Sequence, residues 1–173
     1  ARAAGVTAFC AKPMFMSDLR DSLLTALGQQ REKHTAVLAA WSSNTSYEGK
    51  RLLLAEDNEM NREIACEILG DYGLLVETAE NGAKAVEMVA KSQPGYYDMV
   101  LMDIQMPVLN GHDATVRIRQ LPDKALACIP IVAMTANAFD EDRKEAEKHG
   151  MNGFISKPIN MKEVMEALSS FLR

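Results

Sequence analysis

The chain has 173 residues, of which 47% are hydrophobic and 25% are charged, and its formal net charge is -5. These values are typical of a globular protein, and the acidic balance gives no general affinity for nucleic acid or anionic membranes. The apolar stretches are shorter than the ~20 residues of a membrane span, and the N-terminus lacks a signal-peptide pattern. Cys10, Cys66 and Cys128 are predicted to be small buried residues in a reducing cytosol. We therefore expect a cytoplasmic fragment that contacts neither nucleic acid nor membrane.

The first 50 residues differ in charge from the rest of the chain. They carry 6 basic and 4 acidic residues, whereas residues 51–173 carry 13 basic and 20 acidic residues. The segment 42–49, SSNTSYEG, has the serine, asparagine and glycine content of a linker or an exposed turn. The sequence therefore predicts a domain boundary near residue 50.

A short internal repeat relates the two ends of the chain. At an offset of 145 residues, segment 5–27 has seven identities in 23 positions with segment 150–172. The identities include a glycine, a phenylalanine and the pairs Lys12-Pro13 and Lys157-Pro158. This agreement indicates that the chain starts inside one structural unit and then contains a second, complete unit.

In the complete unit, short apolar strands alternate with amphipathic helices. Strands are predicted at 51–55, 74–78, 99–103, 129–134 and 154–155. Helices are predicted at 59–70, after Asn81-Gly82, at 112–120, at 138–149 and after Asn160. Ile64, Ile68 and Leu69 are expected on the inner face of the first helix, and Glu163 is expected to form a capping box with Asn160. Five strands alternating with five helices predict a doubly wound parallel α/β sheet with helices on both faces.

Polar residues stand at the C-terminal ends of four of these strands. They are Glu56 and Asp57, Asp103, Thr135, and Lys157. An isolated aspartate in such a place is more often a turn former or a helix cap than a nucleophile. If the strands are neighbours, however, the five side chains share one crevice, where three carboxylates would repel one another unless a divalent cation joined them. Oxygen ligands suit Mg²⁺, and an aspartate can then accept a phosphoryl group.

Four strings of the sequence, in order, carry a resemblance to a known family. LLLAEDNEMNREI, DMVLMDIQMPVLNG, IPIVAMTANA and GFISKPI resemble the receiver domain of two-component response regulators, specifically the receiver found in hybrid sensor histidine kinases. The resemblance covers about residues 50–173. It implies a flavodoxin-like five-stranded sheet of order 2-1-3-4-5.

The resemblance also implies roles for individual residues. Asp103 is expected to be the phosphoacceptor, and Mg²⁺, with Mn²⁺ as the alternative, is expected to bind Glu56, Asp57, Asp103 and the backbone carbonyl of Gln105. Thr135 and Lys157 are expected to contact the phosphoryl group. Two further roles are implied: a conformational switch at Thr135 and Phe154, and tuning of the phosphate lifetime by Gln105 and Asn137.

By the same likeness, the N-terminal part is the remnant of a second receiver. Residues 1–30 would supply its last strand and last helix, residues 31–49 a partly helical linker, and residues 50–173 the complete receiver. One strand and one helix bury too little surface to fold alone. We therefore expect residues 1–41, through Leu19, Leu23 and Leu27, to pack on the complete receiver or on a second copy of the chain.

The expected function is that of a phosphorelay receiver. Its partner would be a histidine kinase or a histidine phosphotransfer domain, and its parent a hybrid histidine kinase, which can itself be membrane-anchored; this fragment has no kinase core. Two alternatives stand beside it. A docking module without phosphotransfer would not need all five strand-end residues, and a Mg²⁺-dependent aspartyl-phosphate phosphatase would need a second aspartate where the chain has Gln105.

Overall fold

A computed structural model of the chain describes residues 47–136 and 140–171. Five strands form its sheet: β1 (Arg51–Ala55), β2 (Leu75–Ala79), β3 (Met99–Asp103), β4 (Ile131–Thr135) and β5 (Gly153–Ser156). Six helices lie within the described residues: α1 (Glu59–Gly70), α2 (Gly82–Lys91), α3 (Gly111–Arg119), α4 (Lys124–Ala127), α5 (Asp140–Lys148) and α6 (Met161–Phe171).

All four strand pairings are parallel, and the sheet order is β2-β1-β3-β4-β5. The predicted fold class and strand order are therefore confirmed. β3 lies at the centre of the sheet, and each of its five residues is buried. A central parallel strand is covered by helices on both faces, which explains the unbroken apolar run before Asp103.

The sheet separates two apolar clusters. One contains Val100 and Met102 of β3 with the inner faces of α2 and α3, and the other contains Met99 and Leu101 of the same strand with α1 and α6. Successive side chains of a strand point to opposite faces, so one strand contributes to both clusters. Helices packed on both faces hold the parallel strands in place, and the C-terminal ends of all five strands lie along one edge of the sheet.

Side-chain caps set where the helices begin. Asn58, Asn81 and Asn110 each accept the backbone N–H of the residue three positions later, at the starts of α1, α2 and α3. A capping oxygen satisfies an amide group that the helix itself leaves without a partner. These caps therefore fix where the connections after β1, β2 and β3 pass into helices.

Some details of the predictions were wrong. Ile64 is 38% exposed, and the buried residues of α1 are Ala65 and Leu69. The helix α4 was not predicted, and Cys128, which directly follows it, is exposed rather than buried. Cys66 is half-buried. The expectations for residues 1–41, including Cys10, lie outside the described residues.

Candidate functional site

The strand-end residues predicted from the sequence do meet at one edge of the sheet. Ligand atoms of Glu56, Asp57 and Asp103 all lie within 4.8 Å of one another. Glu56 and Asp103 are only 3% and 5% exposed, whereas Asp57 is exposed. The three carboxylates come from the ends of β1 and β3, which are hydrogen-bonded neighbours.

Lys157 bridges two of these carboxylates. Its Nζ lies 2.6 Å from Glu56 Oε2 and 2.7 Å from Asp103 Oδ2. Its backbone N–H donates to the carbonyl of Thr135 at 2.8 Å, so the lysine is attached to the end of β4 as well. The crevice thus contains three carboxylates and the ammonium of Lys157.

Burial and the ammonium act in opposite directions on Asp103. Burial raises the pKa of Asp103, whereas the hydrogen bond and charge of Lys157 lower it and the N–H of Gln105 lowers it further; burial is the larger effect. For Lys157, burial lowers the pKa, but hydrogen bonds to Asp103 and Glu56 outweigh it, and the pKa is raised. Lys157 is therefore protonated at neutral pH.

The donor set fits a divalent cation. Lys157 contributes one positive charge among three carboxylates, two of them buried, so the crevice has an excess of negative charge. Carboxylate oxygens are the ligands that Mg²⁺ prefers, and Asp57 is exposed to solvent, which can provide the water ligands that this ion retains. Glu56, Asp57 and Asp103 would hold the ion.

The first turn of α1 orients the acidic pair, and sequence reasoning missed this contribution. Asn61 donates from Nδ2 to Glu56 Oε1 at 3.0 Å. Arg62 donates from one guanidinium nitrogen to the carbonyl oxygens of Glu56 and Asp57, at 2.7 and 2.8 Å. The sequence does contain one sign of this contribution, the asparagine cap at Asn58. It starts α1 so soon after Glu56 and Asp57 that the first turn of the helix contacts them.

The loop after β3 is held against the end of that strand by backbone hydrogen bonds. Gln105 donates its backbone N–H to Asp103 Oδ1 at 3.1 Å, and Gly111 donates its N–H to the carbonyl of Ile104 at 3.0 Å. Gly111 approaches the Asp103 carbonyl so closely that a Cβ atom would overlap it. The carboxylate of Asp103 therefore has both oxygens oriented, one by Gln105 and one by Lys157.

Phe154 lies at a distance from this cluster, in the interior of β5. Its ring packs against the apolar cluster on the α2 and α3 side, and the guanidinium carbon of Arg143 lies 3.6 Å from its centroid. Thr135 is the last residue of β4 and is half-buried. Asn137 lies outside the described residues.

Comparison with known proteins agrees with this geometry. The family model of the response regulator receiver domain matches residues 52–169 of this chain. Hybrid signal transduction histidine kinase B of Dictyostelium discoideum is 39% identical over 125 residues, which cover 67% of this chain and 6% of that protein. Probable histidine kinase 4 of Oryza sativa subsp. japonica is 35% identical over 142 residues, which cover 72% of this chain and 14% of that protein. The chain thus spans only a small part of these relatives.

Solved structures show the same similarity. The receiver domain of a sensor histidine kinase from Pseudomonas aeruginosa PAO1, solved with a magnesium ion coordinated in its active site cleft, is 34% identical with a TM-score of 0.63, covering 71% of this chain and 97% of that one. A receiver domain from Saccharomyces cerevisiae, co-crystallised with a histidine phosphotransfer protein, is 27% identical with a TM-score of 0.63, covering 72% and 89%. Since the family model matches more than half of its residues, the chain belongs to the response regulator receiver domain family.

Proposed function

We propose that Asp103 accepts a phosphoryl group from a phosphohistidine of a partner protein. The observation that carries this proposal is the position of Asp103, which is buried, 2.7 Å from the Lys157 ammonium and within 4.8 Å of the ligand atoms of Glu56 and Asp57. A carboxylate is a weak nucleophile, and it reacts with phosphorus only where positive charge offsets the charge on the phosphoryl oxygens. Lys157 supplies part of that charge, and a divalent cation held by the three carboxylates would supply the rest.

The transfer exchanges one bond for another at phosphorus. An oxygen of the Asp103 carboxylate attacks, the phosphorus–nitrogen bond breaks, and the histidine nitrogen keeps the electron pair. Mg²⁺, when bound by the carboxylates, would supply further positive charge beside the phosphoryl oxygens. The ammonium of Lys157, which lies between Glu56 and Asp103, would then contact the phosphoryl oxygens. The Gln105 carbonyl as a metal ligand and Mn²⁺ as an alternative ion belong to the same proposal.

Two exposed apolar residues beside the crevice are our candidates for the docking surface of the donor. Met60, in the first turn of α1, is 68% exposed, and Val108, in the loop between β3 and α3, is 83% exposed with a φ of 68°. Both residues follow strands that end in metal-binding acids. Exposed apolar side chains at a functional edge are typical of protein contact sites, and a histidine phosphotransfer domain or a kinase must approach from this side.

The output would be a change of conformation at Thr135 and Phe154. We propose that Thr135 moves toward the phosphoryl group and that Phe154 repacks, which alters the face formed by β4, α5, β5 and α6. The contact of Arg143 with the Phe154 ring lies on this face and would change with it. Gln105 and Asn137 would set how quickly water removes the phosphoryl group.

We also propose that the chain is part of a larger hybrid histidine kinase. The hybrid kinases among its relatives support this, because the chain matches only 6% and 7% of the length of two of them. Residues 1–30 would be the end of a preceding receiver and residues 31–49 a linker, with residues 1–41 packed on the complete receiver or on a second copy. Light scattering and thermal unfolding of chains starting at Ala1 and at Lys50 test the packing: the same oligomeric state together with the same melting temperature would contradict it.

Phosphorylation by a small donor tests the acceptor directly. The chain is incubated with acetyl phosphate and Mg²⁺, and intact mass spectrometry counts the added phosphoryl groups. We expect one group on the wild type and none on Asp103→Asn. No addition to the wild type, or addition that survives Asp103→Asn, would favour the docking-module alternative.

A second comparison tests the docking surface. Met60→Ser and Val108→Ser should slow transfer from a phosphorylated histidine phosphotransfer protein while leaving phosphorylation by acetyl phosphate unchanged. Leu75→Ser is the matched control, because Leu75 is 45% exposed but lies at the opposite end of a strand. Equal rates for all three variants with the protein donor would exclude this surface.

A further inference from the structure

The carboxylate of Glu163 accepts hydrogen bonds from Ser156, the residue before Lys157. Glu163 lies in the first turn of α6, and its Oε2 accepts the backbone N–H of Ser156 at 2.6 Å. The Ser156 hydroxyl donates to the same carboxylate, at 3.0 Å to Oε1 and 3.1 Å to Oε2. Ser156 is the last residue of β5, so these bonds join the end of that strand to the helix that follows it.

This contact differs from the capping box predicted for α6. In a capping box the glutamate bonds back to the N–H of the capping residue of its own helix. Here Asn160 caps the helix by accepting the N–H of Lys162 at 2.9 Å, while Glu163 bonds to Ser156 instead. The glutamate therefore stabilises the end of β5, where the sequence suggested that it would stabilise only the start of α6.

The backbone at Lys157 is held from two sides. On one side, its N–H donates to the Thr135 carbonyl at 2.8 Å, in register with the pairing of Thr135 and Ser156. On the other side, the Glu163 carboxylate holds the N–H and the hydroxyl of Ser156. Bonds to a charged acceptor are stronger than neutral ones, so this second attachment restricts the Ser156–Lys157 segment closely.

The position of that segment decides where the ammonium lies. The lysine side chain is a flexible four-carbon chain with a point charge at its end, and it has no fork geometry of its own to fix an orientation. Its Nζ nevertheless sits between two carboxylates, at 2.6 and 2.7 Å. The anchored backbone sets which positions Nζ can reach, and from its present place the ammonium reaches both carboxylates at once.

We propose that Glu163 is a positioning residue for Lys157, which it holds over Asp103 and Glu56 by fixing Ser156. The inference rests on the proposed function, because Lys157 matters to the chemistry only if Asp103 receives a phosphoryl group. Glu163 itself touches neither Asp103 nor the acidic pair through the contacts described above. Loss of Glu163 should therefore weaken the binding of a phosphoryl group, which Lys157 would contact, and not the binding of Mg²⁺.

Beryllofluoride, a phosphoryl mimic, separates this role from general stabilisation. Its dissociation constant in saturating Mg²⁺ is measured beside the dissociation constant for Mg²⁺ alone, using the full chain. Glu163→Ala and Ser156→Ala should weaken beryllofluoride binding about tenfold, the lower end of what loss of an outer-shell partner costs. Mg²⁺ binding should not weaken, because the ammonium is not a metal ligand, and Glu163→Gln, which keeps an acceptor oxygen, should recover part of the loss.

Glu166→Ala is the matched control. It removes the same charge from the same helix, but the Glu166 carboxylate is 61% exposed and faces Lys162 at 3.8 Å. This variant should bind beryllofluoride like the wild type. The proposal is overturned if Glu163→Ala matches Glu166→Ala, or if Glu163→Ala weakens Mg²⁺ and beryllofluoride equally together with its melting temperature.

Crystal structures of the variants give a readout that does not depend on phosphoryl chemistry. In Glu163→Ala the Lys157 ammonium should leave Asp103 Oδ2, and in Glu166→Ala it should remain there. A wild-type protein that binds no beryllofluoride would contradict the proposed function, while the lysine position would still decide the role of Glu163. An unmoved lysine in Glu163→Ala would overturn the inference.

Discussion

Gly111 packs against the backbone carbonyl of Asp103, with no space between them for a side chain. The atoms that a Cβ would meet are backbone atoms of Asp103 and Ile104, which cannot move aside as the end of a flexible side chain can. Gly111 is thus required by contact and not by its own backbone angles. It holds the loop after β3 close to Asp103.

We expect Gly111→Ala to displace this loop and to lower the free energy of unfolding by about 1–3 kcal/mol, the usual cost of overpacking. Because the loop carries Gln105, Mg²⁺ binding should weaken as well. Urea unfolding and a Mg²⁺ titration measure the two effects. Gly70→Ala is the control, since a Cβ at Gly70 meets nothing within 4 Å, and it should be neutral or slightly stabilising. Equal stability of the two variants would contradict the packing argument.

Replacement of Lys157 by methionine should make stability depend more strongly on Mg²⁺ than it does in the wild type. Without the ammonium, Glu56 and Asp103 remain buried beside each other with no compensating charge. Removal of one partner from a fully buried pair costs 3–5 kcal/mol, and since the Lys157 side chain is 22% exposed we expect about 1–3 kcal/mol.

Urea unfolding with and without Mg²⁺ measures this effect. The cation should restore part of the stability of Lys157→Met, because it relieves the repulsion between the carboxylates. Lys162→Met, at an exposed position of α6, serves as the control and should respond to Mg²⁺ like the wild type. If Lys157→Met were as stable as the wild type without Mg²⁺, the two buried carboxylates would not repel each other as proposed.

Glu77 should make stability depend on pH in the acidic range. Its carboxylate accepts hydrogen bonds from Tyr96 at 2.6 Å, Tyr97 at 2.7 Å and Arg51 at 2.9 Å. The bond from Tyr96 lowers the pKa of Glu77 most, and the other two bonds add to it against the opposing effect of burial. A lowered pKa in the folded state stabilises the fold above the ordinary value of 4.5, and this contribution is lost as the pH falls through the folded pKa.

Glu77→Gln removes this contribution. The difference in unfolding free energy between wild type and variant should be largest at neutral pH, at about 1 kcal/mol or less because the side chain is 33% exposed, and should shrink in acid. Glu87→Gln, which breaks surface pairs with Lys84 and Lys91, should show a smaller difference at neutral pH. A constant difference across the pH range would exclude Glu77 as the source.

Arg119 joins four parts of the chain through a single guanidinium group. It donates to the carbonyls of Gly150, Ala127 and Ile129 and to the Asn152 side chain, at 2.7 to 2.9 Å. A lysine keeps the charge but cannot reproduce the planar fork. We expect Arg119→Lys to lose about 1–3 kcal/mol of stability because carbonyl groups are left without donors. Thermal unfolding measures this loss, and Arg117→Lys, on the exposed side of α3, should be neutral in the same experiment. Equal melting temperatures of the two variants would contradict the role of the guanidinium.

The parts of this fold that follow from local pattern could be predicted from the sequence. The apolar run from Met99 to Met102 and the acids that end β1 and β3 identified the sheet edge, because strand periodicity and strand-end chemistry are local properties. Ile64 was misplaced because a helix with several apolar positions offers more than one inner face. The helix α4 escaped because four residues give too little periodicity.

The partners inside the site could not be predicted in the same way. The contacts of Asn61 with Glu56 and of Lys157 with both buried acids depend on how far each side chain reaches across the folded sheet edge. A capping-box pattern correctly identified Glu163 as a polar partner near the start of α6 but pointed to the wrong donor, since its carboxylate accepts from Ser156 and not from Asn160. Residue types are visible in a sequence, whereas the choice between nearby donors is made by the packed backbone.

The bridge from Lys157 to Glu56 joins residues 101 positions apart in the chain. One partner follows β1 and the other follows β5, so the bridge forms only when β5 has joined the part of the sheet that contains β1. Contacts between distant residues form late because the intervening chain must first be ordered. During synthesis, therefore, the crevice has its complete set of charges only after β5 has emerged and joined the sheet, and shorter nascent chains present the acids without their lysine.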